Sequence, residues 1–253
     1  RYCHLLSRAQ IQLGTSPQLA ARDALRAEKL VPGTAAPQVL LGRAALDLGE
    51  TQRAAEAFAR ASERAPRSLE PPEVMYAWAR TRSLVGDRTG ALATYRILVP
   101  RVALLPNRAA RVRALLEAAH LALVVAPPKQ RVDEALTYLR EAARHRYHPL
   151  EVDVSLSLVM VLELAGKTAR ADALLAELAG LTSWTARPEA TYSLPHPEDL
   201  VFMRALALSQ TDAAEARSVL SRYLAGPRGD GPWADIARRR LGPEPRPTRR
   251  RRR

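Results

Sequence analysis

A step of 34 residues separates Pro32 from Pro66, and the residues around both prolines match in order. Leu6-Ser7-Arg8-Ala9 followed by Leu13-Gly14 recurs as Leu41-Gly42-Arg43-Ala44 followed by Leu48-Gly49, then as Trp78-Ala79-Arg80-Thr81 followed by Val85-Gly86. Beyond each Gly a second apolar pattern repeats: Ala20, Ala24, Ala27 and Pro32 align with Ala54, Phe58, Ala61 and Pro66. A period of this length holds two helices and a turn, too little chain to bury its own apolar face, so neighbouring repeats must stack on one another. This constraint selects an all-α array and excludes sheet architectures.

The segment 35–68 carries the pattern most fully, with Gly42, Gly49, Ala54, Phe58, Ala61 and Pro66 in order. It resembles the tetratricopeptide repeat (TPR), in which two antiparallel helices, A and B, form each repeat. The physical reasons stand apart from the name. Small side chains at Gly42, Ala54 and Ala61 let A and B approach, Phe58 fills the gap, Gly49 can adopt the left-handed backbone that ends helix A, and Pro66 stops helix B. The resemblance implies a right-handed α-solenoid of about five to six TPR-like helical hairpins with a C-terminal capping helix.

Reading on, the hairpins fall near 1–34, 35–68, 72–106, 107–149, 151–180 and 198–225, within one repeat array, 1–225. Pro100 interrupts the third, which is expected to kink or stop its second helix. The Pro-containing stretch 181–197 reads as a connector, and Asp212 as a helix N-cap. Residues 226–242 hold the capping helix, with Trp233, Ile236, Ala237 and Leu241 along one side. Residues 243–253 read as a disordered Arg/Pro-rich tail.

Charge is the other prominent feature. The chain has 253 residues, a formal net charge of +13 and a pI near 10.8. All but Lys29, Lys129 and Lys167 of its 39 basic residues are arginine. Phosphate binding does not demand such a skew, whereas the coding bias of a GC-rich bacterial genome would produce it. Much of the excess sits at the end of the chain, in Arg238–Arg240 and the run Arg249, Arg250, Arg251, Arg252 and Arg253. That tail is a candidate contact for nucleic acid or an anionic surface, although no aromatic residue follows Trp233 to stack on bases.

Chemistry-bearing constellations are sparse. The lone Cys3 excludes an intrachain disulfide and reads as a small buried residue. His145 and His148 lie three apart near a helix end with no third ligand at metal spacing, so no metal or other cofactor is expected. No phosphate loop, HExxH or GxSxG occurs, and catalysis is not expected. The longest apolar stretch, 152–165, contains Asp153, Ser155, Ser157 and Glu163 and is too short to span a bilayer. The chain begins at Arg1 inside a helical repeat and reads as a fragment or processed product. A cytoplasmic setting is expected, with the periplasm left open.

The resemblance implies a partner-binding inner face lined by the A helices. Its positions are His4, Arg8 and Ile11 in the first repeat, Val39, Arg43 and Asp47 in the second, and Tyr76, Arg80 and Ser83 in the third. Arg8, Arg43 and Arg80 form a row of guanidinium forks suited to the carboxylates of an acidic partner. The competing reading is a solvated row, with Arg43 paired to Asp47 four residues on. Tyr76 and Trp184 are further interface candidates. The expected function is a non-catalytic scaffold or adaptor that binds a partner peptide or protein. The alternatives are a regulator acting through the basic tail, or the docking or sensor region of a larger kinase or regulator.

Overall fold

The computed structural model describes residues 1–179, 199–227, 229–231 and 233–242. Among these there are thirteen α-helices and no β-strand. The chain divides into two units, Arg1–Ala126 and Pro127–Arg253. The segments read as connector (181–197) and tail (243–253) lie outside the described residues, together with Trp184 and the five terminal arginines.

The first unit holds α1 (Tyr2–Gln12), α2 (Pro17–Leu30), α3 (Ala35–Asp47), α4 (Thr51–Arg64), α5 (Pro72–Leu84), α6 (Arg88–Leu98) and α7 (Arg108–Val125). Each helix packs on the next, and α1 on α3 and α3 on α5 also touch, so the A helices form one continuous face. Where Pro100 interrupts the pattern, α6 stops at Leu98 and the chain turns through a 3-10 segment, Val99–Leu104.

Helix A of the second hairpin ends as its glycine requires. Gly49 has φ of 75°, its amide donates to Leu46, and the Glu50 amide donates to Ala45. This double closure needs a left-handed residue that a side chain would strain. The same two bonds recur around Gly166, from Gly166 to Glu163 and from Lys167 to Leu162, in a part of the chain where the sequence pattern is degraded.

Small residues set the helix spacing. Ala20, Ala24, Ala27, Ala54, Ala61 and Ala91 are fully buried, as are Phe58 and Tyr95 in the large slot. A Cβ placed on Gly42 would lie 2.9 Å from the Phe58 ring, so glycine is what lets α3 and α4 touch there. Trp78 closes the far side of Phe58, with ring centroids 5.5 Å apart, and the Arg82 guanidinium lies over the indole at 4.6 Å.

The second unit contains α8 (Arg131–Arg144), α9 (Glu151–Leu164), α10 (Thr168–Ala179), α11 (Asp199–Leu208), α12 (Ala213–Ala225) and α13 (Ala234–Leu241). The apolar α9 packs against α8, α10 and α11, which accounts for its lack of a polar face. Asp212 caps α12 by accepting from the Glu215 amide at 2.9 Å. The closing helix α13 packs on α12, and Trp233 stacks on Phe202 at 5.8 Å. From α13, Arg240 reaches the buried carboxylate of Glu163 on α9 and donates to Asp172 on α10 at 2.6 Å. Arg239 lies 3.8 Å from the same Glu163.

Two tests follow from this packing. Gly42→Ala should keep the far-UV helical signal in water but lose about 1–3 kcal/mol to overpacking against Phe58, read as a lower urea midpoint. Arg240→Met strands Glu163 with only its longer contact to Arg239, and loss of one partner of a buried pair is expected to cost about 3 kcal/mol. Hydrogen exchange should therefore speed up in α9 and α13, and Glu163→Gln added to Arg240→Met should restore most of the protection.

Candidate functional site

All nine positions inferred for a partner-binding face fall on α1, α3 and α5 of the first unit, with differing surroundings. His4 and Asp47 are exposed, and Ile11 is the most open large apolar side chain among the described residues, at 78%. Val39 is buried and belongs to both the core and the face, while Ser83 and Tyr76 are half-buried. Between α1, α3 and the start of α5 runs an open groove of about 460 Å³, lined mostly by apolar side chains: Leu6, Val39, Leu40, Pro71 and Val74, with Ser7 on one wall. One turn further along α3 lies a smaller recess of about 240 Å³, bounded by Arg43, Asp47, Glu73, Tyr76 and Leu105.

The three arginines share a slot but not a partner. Arg8 forms a two-pronged ion pair with Asp23 of α2, whose carboxylate is wholly inaccessible; Nη2 to Oδ1 is 2.7 Å. Arg80 Nε lies 3.2 Å from Glu117 Oε1 on α7, and the Tyr95 hydroxyl donates to the other oxygen of that buried carboxylate. Arg43 donates to Gln10 Oε1 of α1 at 3.3 Å. It is not paired with Asp47, whose carboxylate instead accepts from the Gly14 amide at 3.2 Å and ties the first two repeats together. That corrects the local i,i+4 pairing: on this face a reach to the neighbouring hairpin won over a reach along the helix.

The electrostatic consequences are specific. The hydrogen bond from Arg8 holds the Asp23 carboxyl below its ordinary range, against the opposing effect of burial. Burial pushes the Tyr95 hydroxyl well up, and the Glu117 charge adds to it. The same two causes raise Tyr76, whose hydroxyl is buried without a hydrogen bond of normal geometry although Glu117 is near enough to act on it. Arg80 lies over the Tyr76 ring at 5.7 Å. Burial lowers the proton affinity of Arg43, and the nearby Glu73 and Asp47 offset this only in part.

Two other residues lie elsewhere than their patterns indicate. Cys3 is exposed, because the buried stripe of α1 runs through Leu5 and Ala9 and leaves position 3 outside it. His145 and His148 share no helical face: α8 ends at Arg144, Arg146 turns left-handed at φ 42°, and His148 begins a 3-10 turn. Among the described residues no group of three or more His, Cys, Asp or Glu is placed to hold a metal ion, and no helix is long and apolar enough to cross a membrane.

The residues that sequence reasoning passed over include three of the buried acids, Asp23, Glu117 and Glu163. Their signal was an acid on an otherwise apolar helix face, visible for Glu117 and Glu163 but not separable from a solvated position without the partner arginine. The arginines of α13 are engaged in the fold. Arg238 binds Asp230 and Asp235, while Arg239 and Arg240 serve Glu163, so these three cations act within the second unit.

No family model matches the chain, and no curated protein matches it. Among solved structures it is similar to the MamA RS-1 ArsTM double mutant, with a TM-score of 0.54 and 16% identity over 74% of this chain and 97% of that one. It is also similar to the assembly chaperone of RpL4 (Acl4), residues 1–338, with a TM-score of 0.58 and 20% identity over 96% of this chain and 97% of that one. Both are TPR-like helical solenoids, and the likeness is one of fold. The all-α, TPR-like repeat architecture is thereby shown.

The Asp23 pair gives a pH test. Its depressed folded-state pKa stabilises the fold above the ordinary aspartate value of about 4, and this contribution is lost as pH falls through the lower folded value. Asp23→Asn should be less stable than the parent at neutral pH and lose less on acidification, as read from urea midpoints between pH about 2 and 7.

Proposed function

We propose that the chain is a non-catalytic scaffold or adaptor that holds a partner peptide or protein on the A-helix face of residues 1–126. The observation that carries this reading is the open, mostly apolar groove of about 460 Å³ between α1, α3 and α5. It lies between helices whose positions are fixed by the Gly42–Phe58 contact and the Asp47–Gly14 bond. A preformed apolar cleft beside polar groups is what a binding face needs, since little ordering is lost on association. The fold supports the reading by analogy alone: by its name, the similar Acl4 is an assembly chaperone of RpL4.

Arg8 and Arg80 act in this reading as supports of the face. Each neutralises a buried acid, so replacing either tests stability before it tests binding. Ser7 is the better probe, being exposed while lining the groove. Ser7→Trp should fill the groove, keep the unfolding free energy read from urea titration within about 0.5 kcal/mol of the parent, and abolish capture of those partners that the parent chain retains in quantitative affinity mass spectrometry. Identical captured sets for parent and variant would sink the groove reading.

A further inference from the structure

Resting on the groove reading, charge around the A-helix face specifies the partner further. The sequence suggests an acidic ligand facing three arginines. In the folded unit Arg8 is matched by Asp23 and Arg80 by Glu117, both through direct ion pairs, which leaves Arg43 as the remaining cation. Arg43 shares its recess with two carboxylates, Asp47 and Glu73, and lies within ion-pair distance of neither. Asp47 uses one oxygen on the Gly14 amide, and the half-buried Glu73 carboxylate makes no hydrogen bond or ion pair. Among the side chains that line it, the recess therefore carries one negative charge in excess, on a chain whose net charge is +13, with Arg111 on the Leu105 carbonyl at 3.0 Å and Arg113 near Tyr76 as the cations close to that lining.

An entering carboxylate would meet two like charges and one guanidinium that already donates to Gln10. An entering cation would bring the recess to neutrality, and its aliphatic stem would lie against Tyr76, Ala77 and Leu105. The groove and the recess are consecutive along α3. From Leu40, on the groove, to Asp47, on the recess, the helix rises about 10 Å, the span of three residues of an extended peptide.

We infer that the partner segment is an extended peptide that places an apolar side chain in the groove and, about three residues away, a Lys or Arg beside Asp47 and Glu73 in the recess.

The test is a random peptide library displayed on phage, selected at low ionic strength on the full chain and counter-selected on the Ser7→Trp chain. Peptides held by the arginine tail bind both chains and drop out. The survivors should pair an apolar residue with a basic one, and by fluorescence anisotropy they should bind Glu73→Gln about fivefold more weakly, the effect of losing a half-buried ion pair. Arg43→Gln should bind them at least as tightly as the parent. Survivors rich in Asp or Glu, or survivors that bind Glu73→Gln as well as the parent, would overturn the basic-partner inference and leave the groove reading standing. A selection that yields no peptide sensitive to Ser7→Trp would remove the groove reading and this inference with it.

Discussion

Phe58 sits against the bare backbone of Gly42, and much of the first unit depends on that contact. With no Cβ in the way, α3 and α4 close to a distance at which a ring, rather than a smaller side chain, fills the seam. Trp78 of the next hairpin then packs on the other side of the ring, so one close approach fixes both a hairpin and the step to its neighbour. Ala54 and Ala61 flank the ring on α4, fully buried, and complete the seam. A repeat fold inherits its geometry mainly from such nearest-neighbour contacts. The A-helix face is consequently a by-product of the core: Val39 belongs to the cluster around Phe58 and also lines the groove.

The second constraint is electrostatic. A buried carboxylate is tolerable only if a cation or donors reach it. Asp23, Glu117 and Glu163 obtain theirs from Arg8, from Arg80 with Tyr95, and from Arg240 with Arg239. Arginine suits this role because its fork serves two oxygens at once and stays charged when half-buried. Part of the unusual arginine content thus has a structural use.

The repeat was legible because small, large and glycine positions recur at fixed spacing, and packing at those positions leaves few alternatives. The Gly49 closure followed from its place after Leu48, and the Asp212 cap from its place before an apolar helix. The site was legible only as a set of positions. Arg8, Arg43 and Arg80 occupy one slot of the repeat, yet their guanidiniums turn to the B helix of the same hairpin, to the preceding A helix and to the following A helix. A side chain with four rotatable bonds goes wherever an acceptor lies within reach, and the acceptors Asp23, Gln10 and Glu117 stand at unrelated repeat positions. Cys3 shows the same limit on a smaller scale: which side of α1 is covered depends on the neighbouring helices, which a stretch of eleven residues does not encode by itself.

These rotamer choices change what the face can recognise. Three unpaired guanidiniums would make a strong field for anions, and a count of charges along the sequence leads there. Once two are matched to internal acids, the charged side chains that line the recess on α3 are Arg43, Asp47 and Glu73, and there the acids outnumber the cation. Interaction between exposed charges fades beyond about 10 Å at 0.1 M salt, so arginines farther away than that do little to change this balance. Net charge therefore describes how the whole molecule behaves in a salt solution, whereas the specificity of a groove is set by which of its charges remain unmatched after folding.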